Sequence, residues 1–107
     1  MYATIRRYTS KDPSKAKAAF TSLKERIESS FVPTLHDVPG FHGYYVLNAN
    51  DRELVTISIF ESRPGADEST RRASEFVRSD PLKDQLSTPE IIEGELLVAK
   101  EAPVSTH

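Results

Sequence analysis

The sequence predicts an α+β fold with the element order β-α-β-β-α-β. The first observation is an internal repeat between residues 4–13 and 56–64: Thr-Ile, an aromatic residue and a Ser match at a constant offset, and a Pro follows shortly after each Ser. The second is that a helical pattern follows each copy and a strand-like segment follows each helix. Right-handed crossovers then favour a four-stranded antiparallel sheet with both helices on one face, the ferredoxin-like arrangement.

The first strand and helix are predicted from alternation, capping and helical spacing. Residues 2–9 alternate as a strand, and Asp12-Pro13 then starts a helix, because Asp can cap free amides and Pro suits the first helical position. Apolar residues recur at spacings of three and four: Ala16, Phe20, Leu23, Ile27 and Phe31. The pattern predicts a helix that lies on a core and that ends or kinks at Pro33.

The second half of the chain predicts a hairpin, a helix and a last strand. Residues 41–48 and 53–61 are strand-like, and the Asn and Asp residues between them tolerate left-handed turn geometry. Ser62 is expected to cap the second helix, whose apolar stripe is thinner: Ala66, Ala73, Phe76 and Val77. Asp80-Pro81 ends this helix, and residues 90–100 form the fourth strand.

Length and composition limit the class of protein. The 107 residues suit one domain, expected at residues 1–102, followed by a polar tail at residues 103–107. Fourteen basic and sixteen acidic residues give a net charge of −2, which does not favour a nucleic acid or an anionic membrane as partner. The absence of Cys excludes disulfides, thiolate catalysis and cysteine-ligated metals. Without a signal peptide or a membrane-spanning apolar run, we expect a cytoplasmic protein.

The predicted hairpin register assigns the strand residues to two faces. A turn at Asn50-Asp51 would place Leu47 opposite Leu54, and alternation extends the pattern to the first strand. One face then carries Thr4, Arg6, Tyr8, Phe41, Tyr45, Leu47, Leu54, Thr56, Ser58 and Phe60. Both faces are too apolar for solvent, and two helices cover only one of them. We therefore expect a homodimer through the other face, formed by Ile5, Tyr44, Val46, Val55, Ile57 and Ile59.

Three short motifs carry a resemblance to a known family. They are the paired Arg6-Arg7 on the first strand, Val38-Pro39-Gly40-Phe41 before the hairpin, and Phe60-Glu61-Ser62-Arg63 at the start of the second helix. Together they resemble the antibiotic biosynthesis monooxygenase superfamily of small dimeric α+β barrel proteins, over residues 2–101. The resemblance implies one of several activities: cofactor-free oxygenation of aromatic polyketides, haem degradation, small-aldehyde or quinone-related chemistry, or none that is known.

The chain departs from this family at positions that matter. The aromatic residue before the helix, commonly Trp in active members, is Phe60, and the chain has no Trp. Haem-degrading members place an Asn on the first strand, where this chain has Arg6, and a His on the second helix, where residues 63–86 contain none. We therefore expect no haem, no metal and no other cofactor.

The resemblance places a cavity between the helices and the sheet. Arg6 could stabilise an enolate or phenolate oxygen there, while Tyr8 or Tyr45 hydrogen-bonds a substrate oxygen, so these three are the catalytic candidates. The ligand-binding candidates are Thr4, Phe41, Ser58, Phe60 and Phe76, with Phe60 stacking on the substrate. The structural alternative is that both tyrosines are core aromatics with hydroxyls at the rim, and that Arg6 pairs with Glu93 or Glu95.

Other signals in the sequence are weaker. His36 and His42 flank the Pro39-Gly40 turn and could supply a general base, but loop histidines are commonly exposed. Their spacing matches no metal site. The sequence has no phosphate loop, no dinucleotide fingerprint and no hydrolase nucleophile elbow.

Two hypotheses on function follow. The first is a cofactor-independent, monooxygenase-like enzyme acting on a small aromatic or quinol-type molecule, in which the substrate carbanion itself reduces oxygen. The second is a non-catalytic dimeric ligand-binding or accessory protein of the same fold. A large cavity beside Arg6 would favour the first, because a filled one leaves no room for substrate.

Overall fold

The computed structural model describes residues 1–100 and 102, so the predicted tail at residues 103–107 lies outside the described residues. The strands are β1 (Tyr2–Thr9), β2 (Phe41–Ala49), β3 (Glu53–Phe60) and β4 (Glu90–Glu95). The helices are α1 (Ala16–Arg26), α2 (Val32–Leu35) and α3 (Arg63–Ser79), with short 3-10 turns at Pro13–Lys15 and Lys83–Gln85. The predicted order of strands and helices is confirmed.

The four strands form one antiparallel sheet in the order β2-β3-β1-β4. The helices lie against one side, which we call the helix side; the other side is the open face. The buried core lies on the helix side and includes Tyr8, Phe20, Leu23, Phe31 and Phe60. The ferredoxin-like α+β fold predicted from the sequence is therefore confirmed.

The prediction that the first helix ends or kinks at Pro33 is met in part, because the α-helix is interrupted just before Pro33 and then continues through it. A π-helical turn, Ile27–Phe31, follows α1, and α2 then continues through Pro33 to Leu35. The apolar spacing explains this wider turn. Leu23, Ile27, Phe31 and Leu35 are each four residues apart, which would drift around an α-helix of 3.6 residues per turn. Because a π turn takes up more residues, all four side chains stay buried on the same side.

The predicted hairpin register is wrong by one residue. The closing pair is Ala49 with Glu53, so the loop holds three residues rather than two. Asn50 and Asp51 both adopt positive φ, as their residue types allow, and the Asn48 side chain bonds the Asp51 amide at 2.9 Å. Leu47 therefore pairs with Val55, and not with Leu54.

A register shift near the start of β2 completes this correction. Phe41 pairs with Phe60, but Gly43 pairs with Ile59, so one extra residue bulges from the strand. Phe41 stays on the helix side as predicted, whereas the residues after the bulge exchange faces. The predicted faces of Tyr44, Val46, Tyr45 and Leu47 are therefore wrong: Tyr44 and Val46 lie on the helix side, and Tyr45 and Leu47 lie on the open face.

The fourth strand is shorter than predicted. It ends at Glu95, which pairs with Tyr2, and the Leu96 amide then donates to the Met1 carbonyl at 2.8 Å. Residues 97–100 lie past the start of β1 and have no strand beside them in the part of the chain that the structure describes. A strand needs a hydrogen-bonded neighbour, so these residues form none within the single chain.

The start of α3 packs against the sheet through a glycine. A Cβ at Gly65 would lie 2.7 Å from the Phe60 ring and 2.9 Å from the Pro39 carbonyl oxygen. Only glycine permits this approach. The contact brings α3 close enough for its next turn to reach β1 and β3.

One ion pair ties the two helical segments together. The Arg26 guanidinium on α1 donates to both carboxylate oxygens of Asp80, at 2.7 and 2.9 Å, just after α3. Asp80 is buried and also accepts the Leu82 amide at 2.9 Å. Burial alone would raise the pKa of Asp80, but these hydrogen bonds outweigh it and lower the pKa below its ordinary value.

We expect Asp80→Asn to lower the free energy of unfolding at neutral pH by about 1–3 kcal/mol, because it weakens a bidentate, partly buried pair. A lowered folded-state pKa stabilises the protein fully above the unfolded pKa of about 3.9 and loses that contribution as the pH falls through the folded value. The difference between the two proteins should therefore shrink in acid. Denaturant unfolding across the acid range measures it.

The matched control is Asp67→Asn, which removes an exposed carboxylate 3.7 Å from Arg63 on the surface of α3. Such surface pairs contribute little to stability. Equal losses of stability for the two variants would contradict the role assigned to Asp80.

Candidate functional site

Arg6 lies on the helix side of β1 and is 1% exposed. Its guanidinium donates only to hydroxyl groups in the described structure. One terminal nitrogen faces Thr56 and Ser58 on β3 at 3.5 and 3.4 Å, and the other faces Ser69 and Thr70 on α3 at 3.2 and 3.0 Å. Arg6 therefore bridges two strands and a helix through neutral partners.

The two hydroxyls on α3 are oriented by their own helix. Ser69 and Thr70 both donate to the Ala66 carbonyl, at 2.8 and 3.2 Å. With their hydrogens used in this way, their oxygen lone pairs are free to accept from Arg6. Gly65 sets how deeply this turn of α3 sits, so the packing of one glycine positions half of the Arg6 environment.

No carboxylate neutralises Arg6 among the residues that the structure describes. The predicted pairs with Glu93 and Glu95 are not formed, because these residues lie opposite Thr4 and Tyr2 and are exposed. Burial lowers the pKa of Arg6, while the nearby Tyr8, Tyr44 and Glu93 partly oppose that effect. An arginine starts so far above neutral pH that it stays charged. Within residues 1–100 and 102, the Arg6 Nε hydrogen has no acceptor and the buried Thr4 hydroxyl has no hydrogen-bond partner.

A groove opens beside this cation, between α3 and the sheet. It has a volume of about 510 Å³. Arg6 and Tyr8 line it from β1, Thr70 and Arg78 from α3, and Lys83 from the following turn. The lining includes three cationic side chains, Arg6, Arg78 and Lys83, and one carboxylate, Asp84. We call this space the Arg6 groove, and its charge favours an anionic ligand.

Two tyrosines adjoin Arg6. Burial raises the pKa of Tyr8, against the opposing charge of Arg6. Burial also raises the pKa of Tyr44 to about 12, again opposed by Arg6. Both tyrosines line an internal cavity of about 20 Å³ together with Thr56, and Tyr8 also lines the Arg6 groove. At neutral pH both phenols keep their protons, so they can donate hydrogen bonds but cannot act as bases.

The structure brings some predicted residues together and separates others. Arg6, Tyr8 and Ser58 are neighbours as expected, and Thr4 lies beside Ser58 on β1. The predicted place of Tyr45 in the site is wrong: it is 58% exposed on the open face. Tyr44 occupies the corresponding place on the helix side.

The three predicted phenylalanines do not line the Arg6 groove. Phe60 is fully buried and packs on Phe41, with ring centroids 5.5 Å apart. Phe76 packs on Phe31 at 5.3 Å. These rings support the core under the site and offer no face to a molecule in the groove.

The two histidines that flank the Pro39-Gly40 turn lie apart from the Arg6 groove, and His42 lies in β2. Both are exposed, and His36 packs edge-on against Phe41 with ring centroids 5.6 Å apart. Neither lines the groove. Among the described residues, no three His, Asp or Glu side chains are grouped so that they could hold a metal ion.

Sequence reasoning missed four residues of the site: Thr56 as an Arg6 partner, Ser69, Thr70 and Tyr44. The signal for the helix residues was present in the spacing. Ser69 and Thr70 fall between Ala66 and Ala73 on the buried stripe of α3, where polar residues need a partner. Tyr44 was missed because the faces of β2 were assigned from a two-residue turn, whereas the loop holds three residues.

Comparison with solved structures finds the same fold in several proteins of low sequence identity. No protein-family profile matches the sequence, and no curated protein matches it. A monooxygenase of Streptomyces coelicolor, ActVA-Orf6, solved with nanaomycin D, is 15% identical, with a TM-score of 0.70 over 95% of this chain and 92% of that one. SnoaB, a cofactor-independent oxygenase of Streptomyces nogalater, is 16% identical, with a TM-score of 0.55 over 94% of both chains.

A dimeric ferredoxin-like protein from an uncultured marine organism is 9% identical, with a TM-score of 0.73 over 94% of this chain and 98% of that one. These likenesses confirm that the chain has the fold of antibiotic biosynthesis monooxygenase-type proteins, as the sequence motifs predicted. They concern the fold alone. None of the helices in the described part of the chain has the length and apolar character that a membrane span requires.

We expect Tyr44 to titrate well above its ordinary pKa of 10, near 12. A raised folded-state pKa stabilises the protein fully below pH 10 and loses that contribution as the pH rises through the folded value. Phenolate absorbance of the unmodified protein and of Tyr44→Phe isolates this group. Arg6→Met should raise the Tyr44 pKa further, since it removes the nearby cation. Phenolate formation by Tyr44 near pH 10 would contradict the assigned burial.

Proposed function

We propose that this protein is a cofactor-independent monooxygenase that acts on a small aromatic or quinol-type molecule bound in the Arg6 groove. The observation that carries the proposal is the buried Arg6 guanidinium, which faces an open groove and has only neutral hydroxyl partners in the described structure. A buried cation without a counter-charge is costly, and an anionic oxygen of the substrate would supply that charge.

The proposed reaction needs few catalytic groups from the protein, because the substrate anion itself reduces dioxygen. Ionisation of a phenol or enol gives an anion whose carbon can donate electrons to dioxygen directly. A ring CH₂ then becomes a carbonyl, one oxygen atom stays on the carbon, and the other leaves as water with the two hydrogens. Arg6 would stabilise the anion, and the protonated Tyr8 would donate to an oxygen of the substrate.

Tyr44 takes the supporting role first assigned to Tyr45. It lies close enough to Arg6 and Tyr8 for their charges to act on its pKa, and it shares the 20 Å³ cavity with Tyr8. The orientation of substrate and the stabilisation of charge supply most of the rate in such reactions. The chain shares its fold with ActVA-Orf6, a monooxygenase, and with SnoaB, a cofactor-independent oxygenase. This likeness in fold supports the proposed class of chemistry.

A second candidate function is ligand binding without catalysis. The observation that favours it is Phe60, which stands where active members of the resembled family commonly carry Trp and is 0% exposed. Phe60 does not line the Arg6 groove, so its ring cannot stack on a molecule bound there. In this alternative the Arg6 groove still binds an aromatic anion, but oxygen is not consumed.

We further propose that the protein is a homodimer through its open face. Ile5, Val55, Ile57 and Ile59 are only half-buried there, and Tyr45, Leu47 and Ile92 are 58%, 45% and 61% exposed. This set replaces the predicted Tyr44 and Val46 by Tyr45 and Leu47. A second copy of the same face would cover it, as in the dimeric ferredoxin-like relative.

We expect Arg6→Met to abolish oxygen uptake with hydroquinones and anthrones, with a loss of about 10²-fold or more for a lost anion-stabilising group. Binding of an aromatic anion should weaken in parallel. The thermal midpoint should stay level or rise, because an uncompensated buried cation is replaced by an apolar chain of similar length. Oxygen-electrode rates and calorimetric binding measure the two effects.

The matched control is Arg7→Met, on the adjacent residue. Arg7 lies on the open face and pairs with Glu53 and Glu90, at 3.2 and 2.6 Å. Binding and oxygen uptake should be unchanged in this variant. Binding without oxygen uptake in the unmodified protein would favour the second candidate, and an Arg6→Met protein with full activity would exclude both.

For the homodimer, we expect Ile57→Asp to dissociate or unfold the protein, because it places an unpaired carboxylate between two apolar faces. Ile57→Val, the conservative control, should keep the dimer. Sedimentation velocity at micromolar concentration distinguishes the states. A stable monomer of the unmodified chain under these conditions would rule out the proposed interface.

A further inference from the structure

The proposed oxidation needs a group that accepts protons, and the histidines named in the sequence do not supply one. Each hydrogen of the ring CH₂ must leave as a proton before its electron pair can pass to dioxygen. His36 and His42 do not line the Arg6 groove. Tyr8 lines it, but burial raises the pKa of Tyr8, so this phenol keeps its proton at neutral pH. Among protein groups, the base therefore has to be another residue of the groove.

Asp84 is the one side chain in the described lining of the groove that can accept a proton at neutral pH. The cations Arg6, Arg78 and Lys83 already carry their protons, and neutral hydroxyls are too weakly basic. Asp84 is exposed, and a carboxylate in contact with water is ionised at neutral pH. None of the three cations forms an ion pair with it in the described part of the chain. Its oxygens are therefore available to a molecule in the groove.

The segment that carries Asp84 is held at both ends. Asp84 lies in the 3-10 turn Lys83–Gln85. The Lys83 amide donates to the Asp80 carbonyl at 3.1 Å, at the end of α3. The Gln85 carbonyl accepts from the Lys11 amide at 2.9 Å, in the loop after β1. The wall of the groove that bears Asp84 is thus anchored to both of the other walls, which suits a residue that must be held in place for catalysis.

Arg6 and Asp84 line the groove from different walls, Arg6 from β1 and Asp84 from the turn after α3. In an anthrone, the carbonyl oxygen and the CH₂ group lie on opposite sides of the central ring. A molecule with its oxygen at Arg6 therefore directs its CH₂ away from β1 and toward the remaining lining. An aspartate is an effective base for a carbon-bound proton where donors stabilise the enolate oxygen at the same time, and Arg6 and Tyr8 are such donors.

We propose that Asp84 is the general base of the reaction and carries both protons in turn. It takes the first proton from the CH₂ group while Arg6 stabilises the enolate oxygen. The carbanion then passes two electrons to dioxygen, a C–O bond forms, and the resulting peroxide takes the proton back from Asp84. This inference rests on the proposed function, because it assigns a residue to a step of that reaction.

The second half of the reaction uses the same carboxylate. Asp84 takes the remaining C–H proton while the C=O bond forms and the O–O bond breaks, and it returns this proton to the departing hydroxide, which leaves as water. The carbon loses four electrons in total and dioxygen gains four. Asp84 ends the cycle ionised, as it began, so one carboxylate is sufficient and no further oxidant or reductant is needed.

The charged and titratable groups that share the lining with Asp84 are Arg6 and Tyr8 on β1, Arg78 on α3 and Lys83 in the same turn. Between about pH 6 and pH 8 the three cations keep their charge and Tyr8 keeps its proton. A change of rate with pH in this range therefore reports the ionisation of the substrate, and the presence or absence of a base decides whether that ionisation limits the rate.

The test is oxygen uptake with an anthrone across this pH range, corrected for uptake without protein. We expect Asp84→Asn to lower kcat/KM at the acid end by about 10²-fold or more, the usual loss for a general base. The loss should shrink by about tenfold for each pH unit, because the anthrone increasingly ionises by itself. The unmodified protein should change little over the range. Calorimetric binding of an anthraquinone carboxylate, which has no CH₂ to oxidise, should be as tight in the variant or tighter.

Two further variants serve as controls. Asp84→Glu keeps a carboxylate in the groove and should retain the rate to within about tenfold and the flat pH profile. Asp67→Asn removes an exposed carboxylate of α3 that does not line the groove, and it should leave the rate unchanged. Thermal midpoints check that each variant is folded, and Asp84→Ala, judged in the same way, replaces Asp84→Asn if that protein does not fold.

Each result decides the role of Asp84. A variant Asp84→Asn with the rate and pH profile of the unmodified protein overturns Asp84 as the base and leaves the proposed function standing. A loss that is equal at every pH, or that comes with weaker binding of the anthraquinone carboxylate, indicates a structural or binding role and also overturns it. The absence of oxygen uptake by the unmodified protein overturns both the base and the oxygenase.

Discussion

The buried charge of Arg6 is the constraint on which the site depends. Four hydroxyls from two elements surround its terminal nitrogens, and none of them carries a charge. Each supplies lone pairs, so hydrogen bonding is largely satisfied while the positive charge is not neutralised. A protein selected only for stability would gain from an apolar residue at this position. An anion in the groove would supply the missing counter-charge, and the proposed function rests on this point.

The same constraint organises the surrounding structure. The α3 turn must approach the sheet closely for Ser69 and Thr70 to reach β1, and Gly65 makes that approach possible. The Arg26–Asp80 pair then fixes the far end of α3 against the α1 segment. Because α3 is held at both ends, the distance between helix and sheet is set, and the groove stays open beside Arg6.

The sequence predicted the fold well and the site in part. Element order and the β1 and β3 faces follow from local spacing, which is why Arg6, Tyr8 and Ser58 were placed correctly. Asp12 caps its helical turn as predicted, whereas Ser62 precedes α3 without the predicted side-chain capping bond. The β2 face was not predictable in the same way. It depends on a three-residue loop and on a bulge near Gly43, and each changes the pairing by one residue without altering the composition of the strand. The spacing of α3 shows that Ser69 and Thr70 lie on its buried stripe, but the group that they meet there depends on how the helix packs on the sheet.

The three-residue loop and the bulge near Gly43 decide which residues of β2 lie on each side of the sheet. On the helix side they bring in Tyr44, whose phenol lies near Arg6 and Tyr8. On the open face they leave Tyr45 and Leu47 exposed beside the half-buried isoleucines. A strand with strict alternation could not have supplied both Phe41 and Tyr44 to the same side. The three-residue loop sets Tyr44 on the helix side and Tyr45 on the open face, and the bulge keeps Phe41 on the helix side as well.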